Sequence, residues 1–208
     1  AADLNTEVFV LGGNGAALMP GGSALVDALP GVTETPIALA PQAAEGGAYP
    51  LLLLESTSQG ELLLVRLLTD GSVDTTFGVG GKVLLQSDDL PGLMSLNGSS
   101  PEMVIRSDGR IVIAGPLFDQ GPAHSFFVLQ LSRDGTLDAS FGDGGVTYLN
   151  LGPNPLVDLA LTAQGELLIA QRGPYHSPGT LTRLTPDGRL DLGFHAQPLA
   201  GVAQALEQ

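Results

Sequence analysis

Asp134 to Gly145 reads "DGTLDASFGDGG", and Asp70 to Gly81 reads "DGSVDTTFGVGG". A doubled catalytic motif, a doubled metal loop or a repeated structural unit would each leave such a pair. The rest of the chain decides between them. Asp-Gly occurs again at Asp187-Gly188, and all three pairs follow an apolar strand pattern: "LLLVRLLT", "FFVLQLSR" and "TLTRLTP". A fourth copy is degraded but readable in "ALMPGGSALVDA", where Gly21-Gly22 replaces Asp-Gly and Leu25-Val26-Asp27 echoes Ser72-Val73-Asp74. Self-similarity at a fixed period over the whole chain marks a repeat architecture.

A second landmark precedes each turn: "EVFVLGG" from Glu7, "PLLLLES" from Pro50, "RIVIAGP" from Arg110 and "ELLIAQR" from Glu166. Short apolar runs of this kind are buried strands. Three of them follow another strand that opens with proline, "PIALAP" at Pro36, "PEMVIRS" at Pro101 and "PLVDLALT" at Pro155. The first run has only "AADLNT" before it, but "PLAGVAQALEQ" at the end of the chain, Pro198 to Gln208, reads like "PLVDLALTAQG". The chain is therefore a permuted series of four-strand units.

Those units predict an all-β fold, a four-bladed β-propeller with four antiparallel strands per blade and the first blade closed by the C-terminal strand. Closure of this kind removes sheet edges that would otherwise recruit other chains. Blade 1 is expected at 1–33 plus 198–208, blade 2 at 36–87, blade 3 at 101–151 and blade 4 at 155–197. Four units in 208 residues give about 52 each, enough for four short strands and their turns. The alternative is two chains joined into a larger ring, so both a monomer and a self-associating form are open.

Composition narrows the partners. A hydrophobic content of 43% against 14% charged residues argues for a packed domain, and Gly (29) with Pro (15) suits short strands and tight turns. The formal charge of −14 repels phosphate backbones, which excludes nucleic acid as a partner. Lys82 is the one lysine. The absence of cysteine removes disulfides, thiolate nucleophiles and thiolate-bound metals. No apolar run reaches membrane-spanning length, so membrane insertion is not expected. The opening "AADLNTE" reads as what remains after a signal peptide is cleaved behind a small residue, and predicts export.

"DGSVDTTFGVGGKV" and "DGTLDASFGDGGVT" resemble the bacterial delta-60 repeat. The resemblance is partial at "DGRLDLGF" and faint in the first unit. It implies a propeller fold and an exported setting, periplasmic, cell-surface or extracellular, and carries no catalytic residues with it.

The repeated residues themselves read as structure. A type I turn followed by glycine at positive φ joins two strands in a hairpin, which is the place for Gly71, Gly135 and Gly188. That register sets Arg66 opposite Asp74, Gln130 opposite Asp138 and Arg183 opposite Asp191. Calcium is the functional rival, because Asp70, Ser72 and Asp74 place oxygens at alternate positions. No acidic residue follows where a bidentate ligand belongs, and a facing arginine opposes a cation. Phe77, Phe141 and Phe194 recur three residues after the second Asp and are expected as wedges between neighbouring blades. The strings "FGVGG" and "FGDGG" lack the lysine and the helix that a phosphate cradle needs.

Up-and-down strand order sets the Asp-Gly turns opposite the long, varied loops, where function is usually lodged. His124 in "GPAHS" and His176 in "GPYHS" occupy equivalent loops. Two neutral imidazoles there would hold copper or zinc, with Asp88, Asp89 or Asp119 as a further ligand, or would simply be copied with the repeat. His195 is expected on the fourth strand of the last blade. Neither a nucleophile elbow nor a distinct carboxylate pair emerges. The expected function is thus a non-catalytic binding or scaffolding propeller of the bacterial envelope that engages a protein or glycan through the long-loop face or the rim. No cofactor is expected. The alternative is a metalloprotein, an enzyme included, with His124 and His176 as copper or zinc ligands. A structural ion in the central channel would fit either reading.

Overall fold

Glycine-punctuated apolar runs leave little room for helix, and every regular element described in the computed structural model is a β-strand. The structure describes residues 6–9, 23–26, 29, 31–42, 50–86, 101–117, 126–151, 156–172 and 179–194. The first two strands, β1 (Thr6–Phe9) and β2 (Ser23–Val26), pair antiparallel. A four-stranded meander follows, made of β3 (Glu34–Pro41), β4 (Leu51–Thr57), β5 (Leu62–Leu67) and β6 (Lys82–Leu85). The second meander repeats it with β7 (Glu102–Ile105), β8 (Ile111–Pro116), β9 (Phe126–Leu131) and β10 (Val146–Leu149). Three strands form the last sheet: β11 (Leu156–Leu161), β12 (Leu167–Gln171) and β13 (Thr180–Leu184).

The sheets stack face on face. Leu52, Leu54, Leu62 and Leu64 of one meander meet Ile111, Ile113, Phe127 and Leu129 of the next in a single apolar layer. On the other face of that second meander, Val112, Ala114, Phe126 and Val128 meet Leu167, Ile169 and Leu184 of the last sheet. Strands with a neighbour on both faces carry near-continuous apolar sequence, and β5, β8 and β9 are buried at every position, Arg66 and Gln130 included. In β12 burial alternates, the signature of a strand with one covered face among the described residues. β7 touches both β3 and β11, so the first strands of successive sheets converge on one side of the stack.

Two expectations change. The first unit was aligned with Ser23–Val26 just beyond its turn, where Val73, Leu137 and Leu190 make only single bridges. Instead Ser23–Val26 forms a four-residue ladder with Thr6–Phe9, the pairing that β4 makes with β5 and β8 with β9, so it stands in the place of the third strand and Gly21-Gly22 precedes it in sequence. The second unit reverses the loop lengths: its tight turn, Thr57 to Glu61, joins β4 to β5, and the long connection lies between β3 and β4. The residues after Phe77 and Phe141 lie in turns that precede β6 and β10. His195 itself, and the proposed closing segment 198–208, lie outside the described residues. The described sheets are open and number two of four strands, one of three and one of two.

Candidate functional site

The repeated turns occupy one end of the stack. After β5 the amide of Gly71 donates to Leu68 O (2.9 Å) and the Leu68 amide to Ser72 O (2.8 Å), with Gly71 at φ 83°. The same two bonds recur at Ser132, Gly135 and Thr136, and at Thr185, Gly188 and Arg189. Each turn is capped by its own carboxylate. Asp70 Oδ1 accepts from the Ser72 amide (3.0 Å) and hydroxyl (2.6 Å). Asp134 Oδ1 accepts from the Ser132 hydroxyl and from the Thr136 amide (3.1 Å) and hydroxyl (2.8 Å). The Ser132 hydroxyl, then the Thr136 donors, hold the Asp134 carboxyl down at about 2.

The second Asp of each motif caps the next turn with one oxygen and grips the facing strand with the other. Asp74 Oδ2 accepts from Arg66 Nε at 2.9 Å, Asp138 Oδ2 from Gln130 Nε2 at 2.8 Å, and Asp191 Oδ2 from Arg183 Nε at 2.8 Å. These are the three facing pairs that the register predicts. Meanwhile Asp74 Oδ1 accepts from the Thr76 amide and hydroxyl, and Asp138 Oδ1 from those of Ser140. The oxygens that a calcium reading would recruit are turned onto the chain's own donors.

The phenylalanines are wedges, and the geometry shows what they wedge against. Phe77 and Phe141 are fully buried. A Cβ on Gly135 would come within 2.9 Å of the Phe77 ring, and one on Gly188 within 2.7 Å of the Phe141 ring. Next to each ring an amide reaches into the same turn: Gly78 N donates to Asp134 O, and Gly142 N to Asp187 O, both at 2.8 Å. Each Asp-Gly turn is therefore also the socket for the Phe-Gly step of the preceding unit.

A polar clamp completes each junction. Gln42, just past β3, donates to Gly109 O (2.6 Å) and Arg133 O (3.1 Å) and accepts from Arg66 Nη1 (3.1 Å). Just past β7, Arg106 donates to Gly165 O (2.6 Å) and Pro186 O (3.2 Å) and to the Gln130 amide oxygen. The residue types have exchanged places between the two units, Gln with Arg, while the pair and its backbone targets stay the same. Burial pushes the Arg106 guanidinium below its ordinary value, yet every face of it meets a carbonyl or amide oxygen. A cleft of about 470 Å³ opens beside it, between the Ser107–Arg110 turn and the Thr162–Gly165 turn. Its second cation, Arg110, is paired with Asp108 at 3.2 Å and Asp138 at 3.7 Å.

Sequence reasoning missed Gln42 and Arg106, and missed the socket role of Gly135 and Gly188. One signal was available: a long polar residue directly after an apolar first strand, in "PIALAPQ" and "PEMVIR". His124, His176, Asp88, Asp89 and Asp119 lie outside the described residues. Their loops leave from Pro116 and Gln171 and from Leu85, at the end of the stack opposite the Asp-Gly turns. Among the described residues no three His, Asp or Glu gather where a metal could be held.

The family described as "Domain of unknown function (DUF5122) beta-propeller" matches residues 55–77 and 106–141, well under half of the chain. Both matched stretches run through the turn and end on the buried phenylalanine, Phe77 or Phe141. No curated protein matches. Among solved structures, a protein of unknown function from Bacteroides caccae is similar over 88% of this chain and 72% of that one, at 13% identity and a TM-score of 0.34. The chain is thus all-β, built of stacked antiparallel sheets, with a β-propeller family matching within its two complete sheets.

Proposed function

We propose that the chain is a four-bladed propeller of the delta-60 repeat type whose first blade takes its missing strand from residues 198–208, and that it serves as a non-catalytic binding scaffold of the bacterial envelope. It is exported, to the periplasm, the cell surface or beyond, and engages an envelope protein or glycan through its long-loop face or rim. One observation carries this reading: the repeated Asp, Phe and Arg side chains and the repeated glycines all act within turns and junctions. What varies from unit to unit is the set of connections at the opposite end, and variable loops on a rigid scaffold are where recognition sits. The net charge of −14 points the same way, toward partners other than nucleic acid.

The test is capture from envelope extracts and on a glycan array, using tag-free protein. Replacing 118–125 and 173–178 with short Gly-Ser connections is expected to abolish capture while leaving the melting temperature in place. Capture that survives both replacements would remove the long-loop face from the reading. The metalloprotein alternative, with His124 and His176 as copper or zinc ligands, is read in the same preparation. Stoichiometric metal that disappears in His124→Ala/His176→Ala would replace the scaffold reading with that one.

A further inference from the structure

The exchange of Gln and Arg between the two junctions leaves one buried cation without a counterion. At the first junction the arginine stands on β5, where the hairpin register sets a carboxylate against it, and Arg66 Nε lies 2.9 Å from Asp74 Oδ2. At the second, Gln130 holds that register place and takes the aspartate, donating to Asp138 Oδ2 at 2.8 Å. The arginine has moved to the position just past β7. There Arg106 meets neutral oxygens only, Gln130 Oε1, Gly165 O and Pro186 O. Arg66 and Arg106 are buried alike, 9% and 8% exposed, yet Arg106 makes no ion pair among the described residues.

Burying a charge is costly unless a counter-charge and a full set of hydrogen bonds meet it. For Arg106 the set is incomplete. Each terminal nitrogen of a guanidinium carries two hydrogens, and Nη1 and Nη2 of Arg106 spend one apiece on Gly165 and Pro186. The hydrogens left over belong to the two nitrogens that grip a carboxylate as a fork.

Arg106 also forms part of the wall of the 470 Å³ cleft, and clefts of about 300–1,000 Å³ are the size that small ligands occupy. Ser107 and Gln164 stand in the same wall, exposed, with side chains that bond to nothing among the described residues. The carboxylate of the wall, Asp108, is committed to Arg110: Oδ1 accepts from its amide at 3.1 Å and Oδ2 lies 3.2 Å from its Nε. Ile105 and Leu161, both partly buried, add apolar surface. An unmatched cation, two unspent polar side chains and an apolar patch suit a hydroxylated ring that carries an acid.

We infer that this cleft binds a uronic acid, with its carboxylate on Arg106, its hydroxyls toward Ser107 and Gln164, and the C–H face of its ring toward Ile105 and Leu161. The site lies at the Asp-Gly end of the stack, away from the long loops, and depends neither on ring closure nor on the partner reading above. The net charge of −14 slows the approach of an anion, but it is screened over about 10 Å at about 0.1 M salt, so contact with Arg106 sets the affinity.

Calorimetric titration of the full chain with sodium glucuronate tests the assignment, beside glucuronamide, which keeps the ring and loses the charge. Glucuronate should bind one to one, and glucuronamide at least about tenfold more weakly. Arg106→Met should abolish binding. Should that variant fail to fold, Ser107→Ala and Gln164→Ala carry the test, because neither touches a clamp bond; each should weaken glucuronate several-fold and leave Tm in place. A disaccharide ending in glucuronate tells the sources apart: retained binding assigns the acid to a glycan end, lost binding to a free sugar acid, and either keeps the site. Replacing 118–125 and 173–178 should leave glucuronate binding unchanged even where it abolishes capture of the envelope partner. Absence of saturation by glucuronate, equal affinity for glucuronamide, parental affinity in both alanine variants, or loss of glucuronate binding on loop replacement would each overturn the assignment.

Discussion

Phe141 and Phe194 occupy the same place in successive copies of one motif, and only the first is fully buried. Around Phe141 the wedge, the socket glycine and the amide-to-carbonyl bond from Gly142 to Asp187 are all present. Around Phe194 the ring, its arginine and its anchoring aspartate are present, and no Asp-Gly turn of a further unit meets the ring among the described residues. The same contrast runs through the strands, from β9, buried throughout, to β12, buried at alternate positions. In a repeat array a residue's energetic weight is set by the next unit as much as by its own sequence, as expected where stability is a sum of unit and interface terms.

The largest effect should come from emptying a filled junction. Phe141→Ala removes a wholly buried ring from between two sheets, at a cost of about 3–5 kcal/mol. Chemical denaturation should show the loss, and Phe77→Ala should match it within the spread that local relaxation allows. A small effect at either position would mean that the sheets do not stack as described.

Next comes the socket itself. Gly135→Ala places a Cβ 2.6 Å from Val83 and 2.9 Å from the Phe77 ring, at φ 92°. Left-handed strain of about 1–2 kcal/mol then adds to about 1–3 kcal/mol of overpacking. Gly144→Ala makes a control in the same unit, because Gly144 has φ 65° with open space around the missing Cβ. It should lose only the strain contribution, and equal losses at both positions would argue that conformation alone, and no junction, selects these glycines.

A smaller effect belongs to the clamp. Arg106→Met keeps most of the stem's packing and deletes the bonds to Gly165 O, Pro186 O and Gln130, for a loss of about 1.5–3 kcal/mol. Gln42→Met at the preceding junction is the neutral counterpart, and its loss should be smaller, because a charged donor strengthens each bond.

Much of this was legible in the sequence. The strands of the later units, the turn type, the positive-φ glycines and the three facing pairs followed from the spacing of Arg66, Asp70 and Asp74 and their copies, because hairpin register is a local rule; the first unit, which lacks the Asp, was misaligned at Ser23–Val26. The junctions were only half legible. Recurrence marked the phenylalanines as wedges, but their target, a glycine 58 residues on from Phe77, depends on how sheets stack, and no local rule reports that. The Gln42 and Arg106 clamps were hidden for a different reason: the pair exchanges its members between units, so an eye tuned to repetition sees no repeat. The candidate ligands His124 and His176 rest on recurrence in loops, where the fold imposes the weakest constraints of all.

The smallest effect is a titration, and it compares the best-capped turn with the least capped. Asp134 accepts from Ser132 and twice from Thr136, and these donors favour its ionised form, lowering its pKa from 3.8 to about 2. At Asp187 the Thr185 hydroxyl is the main cause of a lowered pKa, and Arg189 stands where Thr136 stands, with its guanidinium 3.2 Å away. A carboxyl whose folded pKa is depressed contributes stability that is present above its unfolded pKa and disappears as pH falls through the folded value. The contribution of Asp134 should thus be complete at neutral pH and vanish between about 4 and about 2. Asp134→Asn keeps the shape of the cap and removes the charge. The Tm gap between Asp134→Asn and the parent should therefore narrow across that window, while raised salt should shrink the gap for Asp187→Asn, whose arginine partner is exposed to solvent. A gap for Asp134→Asn that stays constant down to pH 2 would show that the turn draws on the oxygen alone, and that the carboxylate at the head of the repeat is there for geometry and not for charge.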